Sequence, residues 1–181
     1  MASQTTATET IVSQRKEEII KEAKRVEETT LHSSKGHFSA AAVWRGLHVG
    51  LGLPTTILAS IVAASAFSQV DAGHSVGGWI SICVAALSAL STFLNANAKA
   101  AAHFTAGNSY SALQDKARIF WTIDCWAGDS DHVLTKRLKD LSEEKSDLNK
   151  KSPQIPWLGR IIAKRGIAAG DADYKVDKPE G

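Results

Sequence analysis

Polar and apolar positions follow helical spacing along most of this chain, but between Arg45 and Lys99 the polar face disappears. Those 53 residues hold one charged side chain, Asp71, near their centre. Cutting there leaves two runs, residues 46–70 and 72–98. Each exceeds the roughly 20 residues an α-helix needs to cross a hydrocarbon core. The richest windows, near Val49–Phe67 and Val76–Leu94, reach a mean hydropathy of roughly 1.8, in the range of spanning segments. The pattern predicts a two-helix membrane hairpin, with helices over about 47–70 and 75–98 and a minimal turn at Asp71–Ser75. The competing reading is a soluble protein with a buried, Ala-rich hairpin. It agrees with the whole-chain mean hydropathy of −0.12, but that value averages polar flanks with an apolar centre. A soluble helix also needs a wet face, and neither run carries charge on one.

The flanks read as helix throughout, so the fold class is all-α. Residues 1–10 are Ser/Thr-rich and expected to be disordered. A lead segment, 11–45, opens with a charged helix whose Val12, Ile19, Ala23 and Val26 form a stripe at three-to-four spacing. Ser33-Ser34-Lys35-Gly36 predicts a break before Phe38–Arg45 leads into the first span. Residues 99–170 form a second helical region. Helical periodicity continues past Lys99 to Ile123, placing Phe104, Leu113, Ala117 and Phe120/Trp121 on one side. Gly128-Asp129-Ser130-Asp131 is a loop rich in N-cap residues. The next helix carries Leu134, Leu138, Leu141 and Leu148, a packing face too short for an independent coiled coil. Ser152–Pro156 ends it. A short helix at Trp157–Ile167 carries Arg160, Lys164 and Arg165, a pattern suited to anionic headgroups. Residues 171–181 read as a loose tail.

Charge sets the orientation. Seven Lys and Arg precede the first run, fourteen follow the second, and the connection has none. The bias of basic residues toward the cytoplasm then puts both termini inside and the Asp71 turn outside. The first apolar run begins some 45 residues in, after a charge-dense lead, unlike a secretory signal. Net charge is only +2 with both signs interleaved, which argues against nucleic-acid binding. Cys83 lies in the second run and Cys125 beyond it, so both are expected as reduced thiols rather than a disulfide.

The candidate chemistry sits on the second run. Ser81, Ser88, Thr92 and Asn95 are spaced by seven, four and three and share one helix face, which Lys99 continues at the cytoplasmic mouth. Such a face lines a narrow pore or makes a tight helix–helix contact. Ala85/Ala89 and Gly46/Gly50 form small-xxx-small pairs that fit the packing alternative. Pro54, near the start of the first run, is either a first-turn proline or a hinge. No catalytic residues, cofactor or metal site are expected. The six histidines are scattered without an i, i+4 pair, and no nucleophile elbow, phosphate loop or dinucleotide fingerprint is present. His103 and Tyr110, seven apart, read as packing residues.

Several segments together resemble a known family. His37 precedes Ala40-Ala41-Ala42-Val43-Trp44 and Leu51-Gly52-Leu53-Pro54; after the hairpin come His103, Tyr110-x-x-Leu113, Asn149, Pro153-x-Ile155-Pro156 and Ala163-Lys164-Arg165-Gly166-Ile167. This order resembles the SLATT superfamily of two-transmembrane effector domains associated with SMODS and SLOG proteins, over about residues 10–175. The resemblance implies an inner-membrane effector of bacterial conflict, or anti-phage abortive infection, that oligomerises into a pore when a linked nucleotide-signalling sensor is triggered. The implied partners are the lipid bilayer, further copies of the chain and a separate sensor protein. The alternative is a non-conducting membrane scaffold that docks partner proteins on its cytoplasmic helices.

Overall fold

The computed structural model describes the backbone of residues 2–67 and 74–169 and the side chains of residues 14–65 and 76–169. These residues form five α-helices: α1 (Ala2–Phe67), α2 (His74–Leu94), α3 (Ala96–Thr122), α4 (Asp131–Lys151) and α5 (Trp157–Ala168). A single 3-10 turn at Asp124–Trp126 links α3 toward α4, and no strand occurs among the described residues. The Asp71 turn and the tail after Ala169 lie outside them.

Helix α1 is longer than its sequence suggests. It begins at Ala2, inside the segment expected to be disordered; from there to Lys35 no glycine or proline interrupts helical spacing. It also runs straight through the expected break at Ser33–Gly36. The small residues there serve contact instead. Ser33 Oγ donates to the Thr29 carbonyl at 2.9 Å, Ser34 Oγ donates across to the Gly107 carbonyl of α3 at 3.1 Å, and Gly36 lies beneath Ile155. Pro54 is therefore deep inside a helix, not in a first turn. Its ring removes one backbone donor and crowds the carbonyl four residues earlier, that of Gly50.

The lower half of α1 packs with α3 and α4 into a helical body. Its core joins Ile19, Ala23 and Val26 of α1 to Leu113, Ala117 and Phe120 of α3, Cys125 of the turn, and Leu134 and Leu141 of α4. Leu138, Leu148, Ile20 and Trp121 close its edges. Each group recurs at three or four residues, the spacing that puts side chains on one helix face. Phe104 departs from the expected stripe and is half-exposed, because the preceding His103 takes the inward position. Trp121 Nε1 donates to Glu27 at 2.6 Å while the Lys24 ammonium sits 4.4 Å above its ring. Gly128, at φ 88°, makes the left-handed turn into α4 without a Cβ clash.

Beyond the body, the upper half of α1 and α2 form the apolar pair. Each chain segment holds an 18-residue window of mean hydropathy 1.7 with none of it buried. By length and composition both can cross a membrane, and they are compatible with a hairpin. The two helices are in contact, and half-covered positions such as Leu51, Thr55, Leu58 and Val62 of α1 and Ile80, Val84, Leu87 and Ser91 of α2 recur on one side of each and mark the seam. The rest of the surface is bare: Phe93 is 86% exposed, and Leu53, Ile57, Ile61, Trp79 and Ile82 are more than half exposed.

Candidate functional site

The polar stripe of α2 belongs to that bare surface. Ser81, Ser88, Thr92, Asn95 and Lys99 are all exposed, and none is among the half-covered positions that mark the α1–α2 seam. At about 100° per residue, the stripe lies roughly a right angle from the seam, and Ala85 and Ala89 point nearly opposite to it. Ala85 and Ala89 are exposed, and a Cβ at Gly46 or Gly50 would meet nothing. These four small residues therefore make no close approach within one chain.

Two stripe hydroxyls are satisfied locally. Ser81 Oγ donates to the Gly77 carbonyl and Thr92 Oγ1 to the Ser88 carbonyl, each at 2.9 Å. Thr55, Thr56 and Ser60 do the same on α1, at 2.7–2.9 Å. Such back-bonding leaves hydroxyl oxygens available as acceptors while covering their donors. Asn95 stands apart. It adopts φ 44°, ψ 46°, the left-handed region, and separates α2 from α3. Asparagine tolerates that conformation where most side chains resist it. Its N–H still reaches the Ser91 carbonyl at 3.2 Å, so the chain re-enters helix at once. The apolar run and the helix after it are thus two rods joined at one residue. Lys99 lies on the far side of this joint with its ammonium 4.5 Å above the Trp44 ring.

A second polar cluster lies in the body below Trp44. His37 of α1 and His103 of α3 bring their Nδ1 atoms to 3.0 Å, with the rings only 2% and 3% exposed. One Nδ1 must carry the proton and donate to the other, so the rings hold opposite tautomers and cannot both be imidazolium. Tyr110 stacks on His37 with ring centres 5.3 Å apart, and its hydroxyl donates to Asn149 Oδ1 of α4 at 2.7 Å. The cluster thus ties three helices together. Burial pushes the His37 imidazole down to about 4, and the adjacent His103 adds to the effect. Burial also lowers His103. Both rings are therefore neutral near pH 7.

The sequence places His103 and Tyr110 on one face as packing residues, and both are buried. It does not join them to His37, 66 positions before His103, or to Asn149, 39 after Tyr110. Only the order of these residues in the family resemblance singles them out. Both cysteines are free thiols: Cys83 is exposed, and Cys125 is buried, its thiol pushed up by that burial. Among the described residues no three His, Cys, Asp or Glu side chains converge as a metal site. No family model, curated protein or solved structure matches this chain.

Proposed function

We propose that this chain is a membrane effector whose copies assemble around the polar stripe of α2 into an ion-conducting or membrane-disrupting pore. The observation that carries the proposal is the bare pair of apolar helices. Two long uncharged helix segments bury nothing of their apolar windows, and the polar line on α2 lies to the side of the half-covered seam and is exposed. In lipid, side chains of that kind face protein or water. One hairpin cannot enclose a pore, so a wet axis requires several copies, with Ser81, Ser88, Thr92 and Asn95 facing it. Ala85 and Ala89 offer the small surface on which neighbours can approach closely.

The basic flanks support cytoplasmic termini and an external Asp71 turn. The Trp44–Lys99 pair then marks the cytoplasmic boundary of both spans, at the level where aromatic and basic anchors collect. The resemblance to the SLATT superfamily supports a role in bacterial conflict, with a separate nucleotide-signalling sensor as the trigger.

A second reading rests on the back-bonded hydroxyls. Because Ser81 and Thr92 already satisfy their donors within α2, the stripe can lie in a dry helix contact. The assembly is then a non-conducting scaffold that docks partners on its cytoplasmic helices. Reconstitution into liposomes with a preset potassium gradient separates the two. The pore collapses the gradient in proportion to protein added; a scaffold leaves it standing.

A further inference from the structure

Helix α5 is held against α1 by backbone contact. A Cβ on Gly159 would lie 3.1 Å from Ala40 Cβ and 3.2 Å from Ala40 Cα and N, so any larger residue there would push α5 and α1 apart by a few tenths of an ångström. Ala163 is buried beside it, and Gly166 and Ile167 are half-buried on the same side. What remains outside is unusual for a water-facing helix. Trp157 is 68% exposed, and Leu158, Ile161 and Ile162 are more than 40% exposed. Arg160 and Lys164 are exposed beside them, and Arg165, one turn after Ile161 on the same face, is exposed as well. From Leu148 through Gly170 the chain has five basic residues and no acidic one.

The level of the crossing matters. Ala40 precedes Trp44 by four residues, about 6 Å along the helix. The headgroup layer spans about 5–7 Å on each side of the hydrocarbon core. On the proposed topology, α5 therefore meets α1 at the depth of the cytoplasmic headgroups. An apolar face with a leading tryptophan and a basic rim is the composition of a helix that lies in the interface plane. The wholly basic stretch fits the anionic lipids of a cytoplasmic leaflet.

We infer that α5 is a surface anchor, its Trp157/Leu158/Ile161/Ile162 side set into an anionic bilayer surface beside the hairpin, with Arg160, Lys164 and Arg165 against lipid phosphates. The inference rests on the membrane reading above. It adds a lipid-composition requirement: in neutral lipid the Gly159–Ala40 contact opens and α5 lifts off, while the spans stay inserted.

The full chain, with Cys83 and Cys125 replaced by Ala, is labelled with a nitroxide at Ile161→Cys and, separately, at Ile82→Cys on the bare apolar side of α2. It is reconstituted in vesicles of phosphatidylcholine alone or with added phosphatidylglycerol. Accessibility to oxygen relative to a water-soluble nickel chelate reports depth. The expected result is a lipid-buried Ile82 label in both vesicles. The Ile161 label moves from aqueous to interfacial, with a several-fold rise in the oxygen-to-nickel ratio, only when anionic lipid is present. Lys164→Gln with Arg165→Gln abolishes that move and leaves the Ile82 label in place. An aqueous Ile161 label in both vesicles overturns the anchor while keeping the spans. A label shielded equally in both vesicles, and released by diluting protein in lipid, overturns it in favour of a second copy of the chain. An aqueous Ile82 label overturns the membrane reading and the anchor together.

Discussion

His37 and His103 show how a single contact couples protonation to packing. Their Nδ1 atoms share one hydrogen bond in a nearly dry site, so a proton on the accepting Nδ1 must break it and a proton on either Nε2 puts a charge in that site. With the folded His37 held at about 4 and the unfolded ring near 6.5, the unfolded chain takes up more protons between those values. Stability is then full above about pH 6.5, falls as pH drops through that window, and levels below about 4. The change for His37 is on the order of 3 kcal/mol, at 1.36 kcal/mol per unit. Melting of the detergent-solubilised chain, followed by circular dichroism, is expected to show a lower Tm at pH 5 than at pH 7.5. His103→Ala leaves the His37 Nδ1 without its partner and costs about 1–3 kcal/mol at pH 7.5. An unchanged Tm in that variant would remove the pair from the account. This contact was illegible in the sequence, because hydrophobic periodicity reports which face of a helix turns inward and never which distant residue it meets. His103 and Tyr110 were placed on the right face; their partners on α1 and α4 were not.

At the scale of elements, helix stripes were the readable signal and breaks were the unreadable one. Ile19, Ala23 and Val26, and Leu134 with Leu141, are inward as their spacing predicts. Ser33-Ser34-Lys35-Gly36 has the composition of a turn, yet α1 passes through it because Gly107 and Ile155 pack there. The actual interruption falls at Asn95, where no glycine or proline advertises it. Its left-handed backbone makes Asn95 two things at once, a polar member of the stripe and the joint between α2 and α3. Asn95→Gly removes the amide and keeps the joint; Asn95→Leu removes the amide and strains the backbone by roughly 1–2 kcal/mol. Glycine is therefore expected to retain a near-wild-type Tm, and leucine to lower it, in the same melting experiment. Equal Tm values for both variants would mean the left-handed joint is not maintained in solution. In gradient-collapse assays the glycine variant isolates the contribution of the side chain.

At the scale of the whole molecule, the described residues hold an unburied pair of apolar helices and a packed body, and the proposal supplies a bilayer and further copies for the first. The proposed topology rests on a connection without Lys or Arg. In the cysteine-free background, Ser75→Cys is expected to react with an impermeant thiol reagent on intact cells and Ser146→Cys is not; the reverse pattern discards the orientation. Assembly is expected to depend on the small face, so Ala85→Phe or Ala89→Phe shifts native mass spectra toward smaller species. The apolar runs are legible because length and hydropathy are read from composition alone, whereas contacts between the proposed copies depend on a surface that one sequence does not pair. The central claim is that the Ser81–Asn95 stripe faces water in an assembly. The most direct test measures ion flux and native mass on the same liposome-derived preparations of wild type and Ser88→Leu, since an apolar constriction closes a narrow path by dewetting. The account predicts that Ser88→Leu loses flux and keeps its oligomer. Flux and oligomer lost together would contradict it and assign the stripe to helix packing.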